Sequence, residues 1–384
     1  MPNFSGIWNL KEQVQAVGAY RWPGAFPPQR LYSWGEGSSG RLGHNSQTDF
    51  SSPVQVGALT TWSQVSAGHT HTAAVTTFGE LYAWGDNSPD GRLGDGTTID
   101  RSSPVQIGAL TNWYQVSAGE FHTTSVKSDG TLWAWGLNSL GQLGDGTTAD
   151  KSSPVQIGGL TTWSQVAAGF TFTAAVKSDG TLWAWGRNNH GQVGNNSTID
   201  INSPVQVGAL TNWTQVSAGQ SHTAAVTTGG ELYTWGYNGY GQLGQNISYI
   251  INRSSPVQIG ALTNWSQISA GEFHTASVKT DGTLWTWGNN ANRELGDGTI
   301  IKRSSPVQIG GLTTWSQVSA GSRHTAAIKT DGTLWAWGEG ASGRLGDGTT
   351  VDKSSPVQIG ALTNWSQVSA GDQHTTSTTQ GSSN

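Results

Sequence analysis

The sequence predicts an all-β fold: a seven-bladed β-propeller with four-stranded blades, closed by pairing of the C-terminal strand with the first L-x-x-W-G strand. Two observations carry this. A segment of about fifty residues recurs seven times, and the incomplete copies at the two ends complement each other. The marker L-[WY]-x-W-G begins at Leu31, Leu81, Leu132, Leu182, Leu232, Leu284 and Leu334. W-x-Q-[VI]-[SA]-A-G begins at Trp62, Trp113, Trp163, Trp213, Trp265, Trp315 and Trp365. S-P-V-Q-[VI]-G keeps step through Pro53, Pro104, Pro154, Pro204, Pro256, Pro306 and Pro356. Three markers in one register define a tandem array, whose units bury their apolar faces against one another.

Each repeat supplies four short strands. The run from His122 to Trp135 holds two β-prone stretches around Ser128-Asp129-Gly130, where glycine takes the positive φ of a tight hairpin. P-V-Q-I-G and W-S-Q-V-S-A-G supply two more, joined by a Gly-containing loop such as residues 108–112. Four strands per repeat is the content of one propeller blade. The last repeat stops after His374 and its following polar run, without an L-W-A-W-G partner, while the first begins at Leu31 without a preceding G-x-x-H-T strand. Pairing residues 374–379 with 31–35 completes the ring and removes two exposed edges.

Composition narrows the function. Only 11% of residues are charged, the net charge is −5, and no basic run occurs. Phosphate tracking needs clustered cations, so nucleic acid is not an expected partner. There is no cysteine, which excludes thiolate metal sites and cysteine nucleophiles. No apolar run has the length of a membrane span, and the first residues lack the basic and apolar regions of a secretory signal. No nucleophile–base set or phosphate-cradling loop appears, so no enzymatic activity and no cofactor are expected. His71, His122, His222, His274, His324 and His374 stand one per repeat, and Phe172 replaces the seventh. That spread fits a buried structural histidine and does not converge on a metal. The Asp-Gly pairs at Asp95, Asp145, Asp297 and Asp347 depart from calcium-loop spacing and read as turns.

The combination G-x-x-H-T-x-x-[VI]-x-x-x-G-x-[LV]-[WY]-x-W-G-x-N-x-x-G-Q-L-G, followed by P-V, resembles the repeat of the regulator of chromosome condensation (RCC1) family, from residue 31 to about 379. The resemblance implies a seven-bladed propeller. The family's namesake exchanges nucleotide on a small GTPase, using an inserted wedge and a basic tail, and this chain shows neither. Plant ultraviolet sensors of the family carry G-W-R-H-T. The nearest segment here, Gly321-Ser322-Arg323-His324-Thr325, has Ser in place of the sensing Trp.

The copies disagree at two sets of positions. Between A-G and H-T stand His69-Thr70, Glu120-Phe121, Phe170-Thr171, Gln220-Ser221, Glu272-Phe273, Ser322-Arg323 and Asp372-Gln373. After W-G stand Glu36, Asp86, Leu137, Arg187, Tyr237, Asn289 and Glu339, with His190 and Tyr240 three places further on. Antiparallel pairing brings both sets to one rim, opposite the D-G turns. Aromatic side chains with a few directed charges are a recognition composition. The expected binding residues are therefore Glu120, Phe121, Phe170, Arg187, His190, Tyr237, Tyr240, Glu272, Phe273, Arg323 and Asp372. As rim positions they are expected to carry few core contacts. Their invariant counterparts, T-T-W-S-Q and S-S-P-V-Q, make neutral drift the weaker explanation of the scatter.

Residues 1–30 form an arm and Pro-rich linker ahead of the ring at 31–384. Ile7, Leu10, Val14 and Val17 stand at helical spacing, and Ile7, Trp8, Leu10 and Val14 are the expected assembly anchor. S-G-[IV]-W-x-L-x-x-Q-x-Q-A followed by W-P resembles N-terminal segments of tailed-phage virion proteins. These features together lead to the expectation of a binding module displayed on a virion or extracellular particle, oligomeric in some settings. Its partners would be a cell-surface glycan or protein and, through the arm, an assembly protein. The alternatives are a cytoplasmic RCC1-type regulator and a purely structural subunit.

Overall fold

The computed structural model describes residues 29–247 and 251–381, which form seven four-stranded antiparallel sheets arranged as a propeller. Blade 1 is typical: an inner strand Trp62–Ala67, a second His71–Thr76, a third Leu81–Gly85 and an outer Arg101–Gln106. Blades 2 to 6 follow in chain order. Blade 7 is assembled from both ends, in the order Trp365–Ala370, His374–Thr379, Arg30–Gly35, Phe50–Gln55. Its register runs from Arg30↔Thr379 to Gly35↔His374, the closure expected from the two incomplete repeats. Gln29 bridges Thr61 just ahead of it. The arm residues Ile7, Trp8, Leu10 and Val14, with the helix expected there, lie outside the described residues.

The hairpin between second and third strands depends on its glycine. Gly130 has φ 78°, and a Cβ there would sit 2.2 Å from the Thr161 carbonyl oxygen. Asp129 secures the same turn, its carboxylate accepting from the Thr131 backbone N–H at 3.0 Å and hydroxyl at 2.7 Å.

Between blades the core is apolar and aromatic. Ala73, Val75, Leu81, Leu93 and Ile107 of blade 1 pack on Trp113, Val116 and Trp135 of blade 2. Within blade 2 those two tryptophans meet edge to face at 6.1 Å, and the arrangement recurs around the ring. Burying one such ring is worth roughly 4–6 kcal/mol gross, several times a single hydrogen bond, so apolar packing sets the stability of each boundary. Where the third strand carries a second Trp, the second strand ends in lysine. Lys127 Nζ lies 3.7 Å from the Trp133 ring centroid, and Lys177, Lys279 and Lys329 repeat the contact.

Side chains stitch the blades together. The inner-strand glutamine accepts from a backbone N–H of the next blade: Gln64 from Val116 at 2.7 Å, Gln115 from Val166 at 2.9 Å, Gln165 from Val216 at 2.9 Å. The serine two residues on does likewise, Ser66 accepting from the Ala118 N–H and Ser117 from that of Ala168, both at 2.9 Å. The repeated histidines make a second ring of bonds. His71 is fully buried and its Nε2 lies 2.8 Å from the Thr123 hydroxyl of blade 2. That hydroxyl donates to the Arg92 carbonyl oxygen at 2.8 Å, so the histidine is the donor to it. His122, His222, His274, His324 and His374 each reach the next blade's threonine in the same way. Burial holds these rings neutral, with pKa values pushed down to about 3 for His122, His222 and His274.

Two outcomes test this account. Deleting residues 374–384 strips blade 7 of its second strand, so the protein should lose cooperative unfolding or aggregate. A calorimetric trace identical to that of the full chain would place closure elsewhere. His222→Phe copies the natural Phe172 and should cost under about 1 kcal/mol in urea unfolding, whereas His222→Ala opens a cavity and should cost roughly 2–4 kcal/mol.

Candidate functional site

The two variable sets meet on one rim. In every blade the residue after W-G donates its N–H to the carbonyl of the residue before the histidine position: Asp86 to Thr70 at 3.0 Å, Leu137 to Phe121 at 2.9 Å, Tyr237 to Ser221 at 2.8 Å. The first residue of each A-G-x-x pair points to the axis. His69, Glu120, Phe170, Gln220, Glu272, Ser322 and Asp372 line the channel mouth, an open depression of about 100 Å3.

Aromatic contacts run from blade to blade around this face. In one arc, Phe121 lies 6.0 Å from Phe170 and 6.5 Å from His69, with the Arg92 guanidinium 4.9 Å above its ring. In a second, His190 packs on Tyr237 at 4.8 Å, Tyr237 on Tyr240 at 6.3 Å, and Tyr240 on Phe273 at 4.8 Å. These rings are half-buried. Each is wedged against a ring from a neighbouring loop, contacts that lie at the rim and outside the core clusters. Arg187 is half-buried on the same face, and Arg323 is exposed, 3.7 Å from Glu339. The uniformity of W-S-Q and S-S-P-V-Q has its own cause: the inner strand stitches blades, and the outer strand's Ser102 and Ser152 sit so close on Gly40 and Gly91 of the preceding loops that a Cβ on either glycine would lie 2.7 Å and 2.6 Å from the serine Cβ. That contrast is a fold requirement and does not by itself argue against drift, so the case for recognition rests on the chemistry of the face.

Beneath the rim lies a layer that the variable positions did not reveal. Arg41, Arg92 and Arg344 are buried and ion-paired, Arg41 with Glu36 at 2.9 Å, Arg92 with Asp86 and Asp90 at 2.8 Å each, and Arg344 with Glu339 at 2.6 Å. Blades 2 to 4 carry Gln142, Gln192 and Gln242 there, and blade 5 carries Glu294. A signal was available: W-G-[ED] accompanies G-R-L-G, whereas Leu137, Arg187 and Tyr237 accompany G-Q-[LV]-G. The blades holding arginine are consecutive around the ring, so blades 6, 7 and 1 form a charged sector and blades 3 to 5 an aromatic one.

At the mouth, Asp372 lies 3.1 Å and Glu120 3.9 Å from His69 Nε2, and Gln220 donates to Glu272 at 3.1 Å. Burial is the main force raising the Glu120 pKa to about 9; repulsion from Asp372 and Glu272 adds to it and Arg92 opposes it. Burial likewise pushes Glu272 up to about 6 and Glu294 up to about 7. The Asp-Gly loops are occupied by protein donors. Asp95 accepts from the Thr97 N–H and hydroxyl on one oxygen and from Arg101 on the other. Among the described residues no three His, Cys, Asp or Glu converge as metal ligands.

A model of the RCC1-like domain matches residues 28–259, and models of the RCC1 repeat match 281–328 and 331–377. The chain belongs to the RCC1-like domain family. The ultraviolet-B receptor UVR8 of Arabidopsis thaliana is 40% identical to this RCC1-like chain over 115 residues, 29% of this chain and 26% of the receptor's own length. Human WBSCR16 has the same fold, with a TM-score of 0.83 at 21% identity over 92% of this chain and 99% of that one. Prp20p of Saccharomyces cerevisiae, described with its binding to Gsp1p and histones, gives 0.82 at 22% identity over 100% and 97%.

The titrating groups set opposite slopes in stability. The unfolded chain releases a glutamate proton near pH ~4.3, while folded Glu120 holds its proton to about 9. The folded state binds the extra proton between these values, so this contribution is complete below the unfolded pKa and is lost as pH rises through the folded one. The six buried histidines act in reverse: the unfolded chain binds more protons below pH ~6.5, and stability falls on acidification. Melting temperature should therefore peak near neutrality. Glu120→Gln should flatten the alkaline limb and slightly steepen the acid limb above pH ~4.3, and an unchanged alkaline limb in that variant would contradict the assignment.

Proposed function

We propose that this RCC1-like propeller is a non-enzymatic recognition module that holds a partner protein on the rim carrying the variable turns and loops. The observation that carries this reading is the pair of aromatic arcs, which seven otherwise near-identical blades hold on one face. Packed rings present large contact area with little left to order on binding, and the charges beside them fix orientation. The likeness to Prp20p, described as binding Gsp1p and histones, supports a regulator-type partner inside a cell. The arm supports a second setting: residues Ile7, Trp8, Leu10 and Val14 anchor the ring to a virion or other particle, and the same face meets a cell-surface glycan or protein.

The test is a partner captured by the wild-type chain, purified and titrated against variants. Tyr237→Ser, Tyr240→Ser and Phe273→Ser together should weaken binding at least tenfold and lower melting by only a few degrees, since the rings are half-buried. Ser128→Ala, Ser178→Ala and Thr280→Ala, on the opposite rim, should leave affinity unchanged. The reverse pattern would move recognition to the hairpin-turn face. Retention of partner binding without residues 1–22, with loss of particle incorporation, would select the displayed setting.

A further inference from the structure

The channel mouth contains a buried carboxyl group that no basic side chain among the described residues answers. The Glu120 side chain lines the mouth and is only 7% exposed, one oxygen lies 3.9 Å from His69, and the other, itself shielded from solvent, has no hydrogen-bond partner. Glu272 and Asp372 stand on the same ring of residues. Arginines run close beneath, yet Arg41, Arg92 and Arg344 are committed to Glu36, to Asp86 and Asp90, and to Glu339. Among the described residues no lysine or arginine is within ion-pairing distance of the three mouth carboxylates, and His69 is itself held neutral by burial. A buried acceptor without a donor is costly unless a ligand supplies one.

The shape selects the ligand. About 100 Å3 is room for roughly three waters, enough for an ammonium or guanidinium group with its adjoining methylenes. A metal ion is disfavoured because no three ligating side chains converge. Phe170 lines the same opening, 6.1 Å from His69, and offers the aromatic surface over which organic cations settle. We propose that the channel mouth is a subsite for one organic cation, a lysine or arginine side chain inserted by the partner protein, with Glu120 as its principal acceptor. This rests on the recognition reading above and names the chemistry at the centre of that face.

The probe is a single capped amino acid, so the test needs no partner. N-acetyl-lysine amide and N-acetyl-arginine amide are titrated into the full chain while the backbone amide resonances of Gly119, Glu120, Gly219 and Gly271 are followed. Saturable shifts are expected with both cations and not with N-acetyl-norleucine amide. Glu120→Gln, and independently Glu272→Gln, should raise the apparent Kd at least tenfold in variants whose spectra elsewhere are unchanged. Absence of saturation, an equal response to norleucine, or full binding by both variants would overturn the proposal. Any of these would leave recognition by the rim aromatics standing, whereas failure of the aromatic variants to weaken partner binding would remove that reading alone.

Discussion

Neighbouring blades of a propeller meet face to face, so the backbone ladder that holds one blade together stops at its edge. Polar continuity around this ring is carried by a few loop-backbone bonds, such as His69 N–H to the Gly119 carbonyl, and by side chains: the inner-strand glutamine and serine that accept from the next blade's backbone, and the histidine that donates to the next blade's threonine. Each bond is worth about 1 kcal/mol net, but its geometry admits one residue type at one position. That requirement explains the near-identity of the seven copies of W-x-Q-V-S-A-G and H-T. It also frees the residues between those motifs, whose side chains meet their neighbours by contacts that differ from blade to blade.

The freed positions are not independent of one another. An arginine beneath the rim comes with an acid above it, and a glutamine beneath comes with an aromatic, aliphatic or cationic residue above. Burial makes that pairing obligatory, since a lone guanidinium with no counter-charge under the loop would cost several kcal/mol. The face therefore varies in matched pairs, and its charged and aromatic sectors follow from which pair each blade carries.

Most of the architecture was legible because it repeats. Seven copies of three markers specify blade number and strand count, and the incomplete copies specify that residues 374–379 pair with 31–35; the structure adds the register, with Leu31 opposite Thr378. The histidines were readable as structural because Phe172 substitutes for one of them. The site was legible only in outline. Scatter identifies positions near the rim, so Glu120, Phe121 and Tyr237 stood out, but it is silent on what touches what. The packing of Tyr240 on Phe273 joins residues of different blades, a contact that follows from the curvature of the ring. Arg41, Arg92 and Arg344 escaped notice because they stand inside the motif G-[RQ]-L-G, where a change reads as tolerance within a turn. His69, Gln220 and Ser322 belong to the mouth by position alone, since their side chains share no chemistry with Glu120.

Blade 3 carries Phe172 where the others have histidine and Ala167 where they have serine, and both substitutions fall on its boundary with blade 4. Thr223 thus has no histidine donor, and the Ala218 N–H lacks the serine acceptor that the other six inner strands find. Two bonds of about 1 kcal/mol each are missing there. The boundary is held by the Gln165 stitch, the bonds of Thr223 and Trp235 to the Gln192 carbonyl, those of the Phe170 and Asn196 N–H groups to Gly219 and Ser254, and the apolar layer. In a circular array whose stability is a sum of nearest-neighbour terms, the ring opens first at its weakest joint. That joint is in the middle of the chain, half a turn from the place where the two ends are fastened together. The terminal closure is consequently not the point of failure, and hydrogen exchange in this protein should spread outward from a seam between two internal repeats.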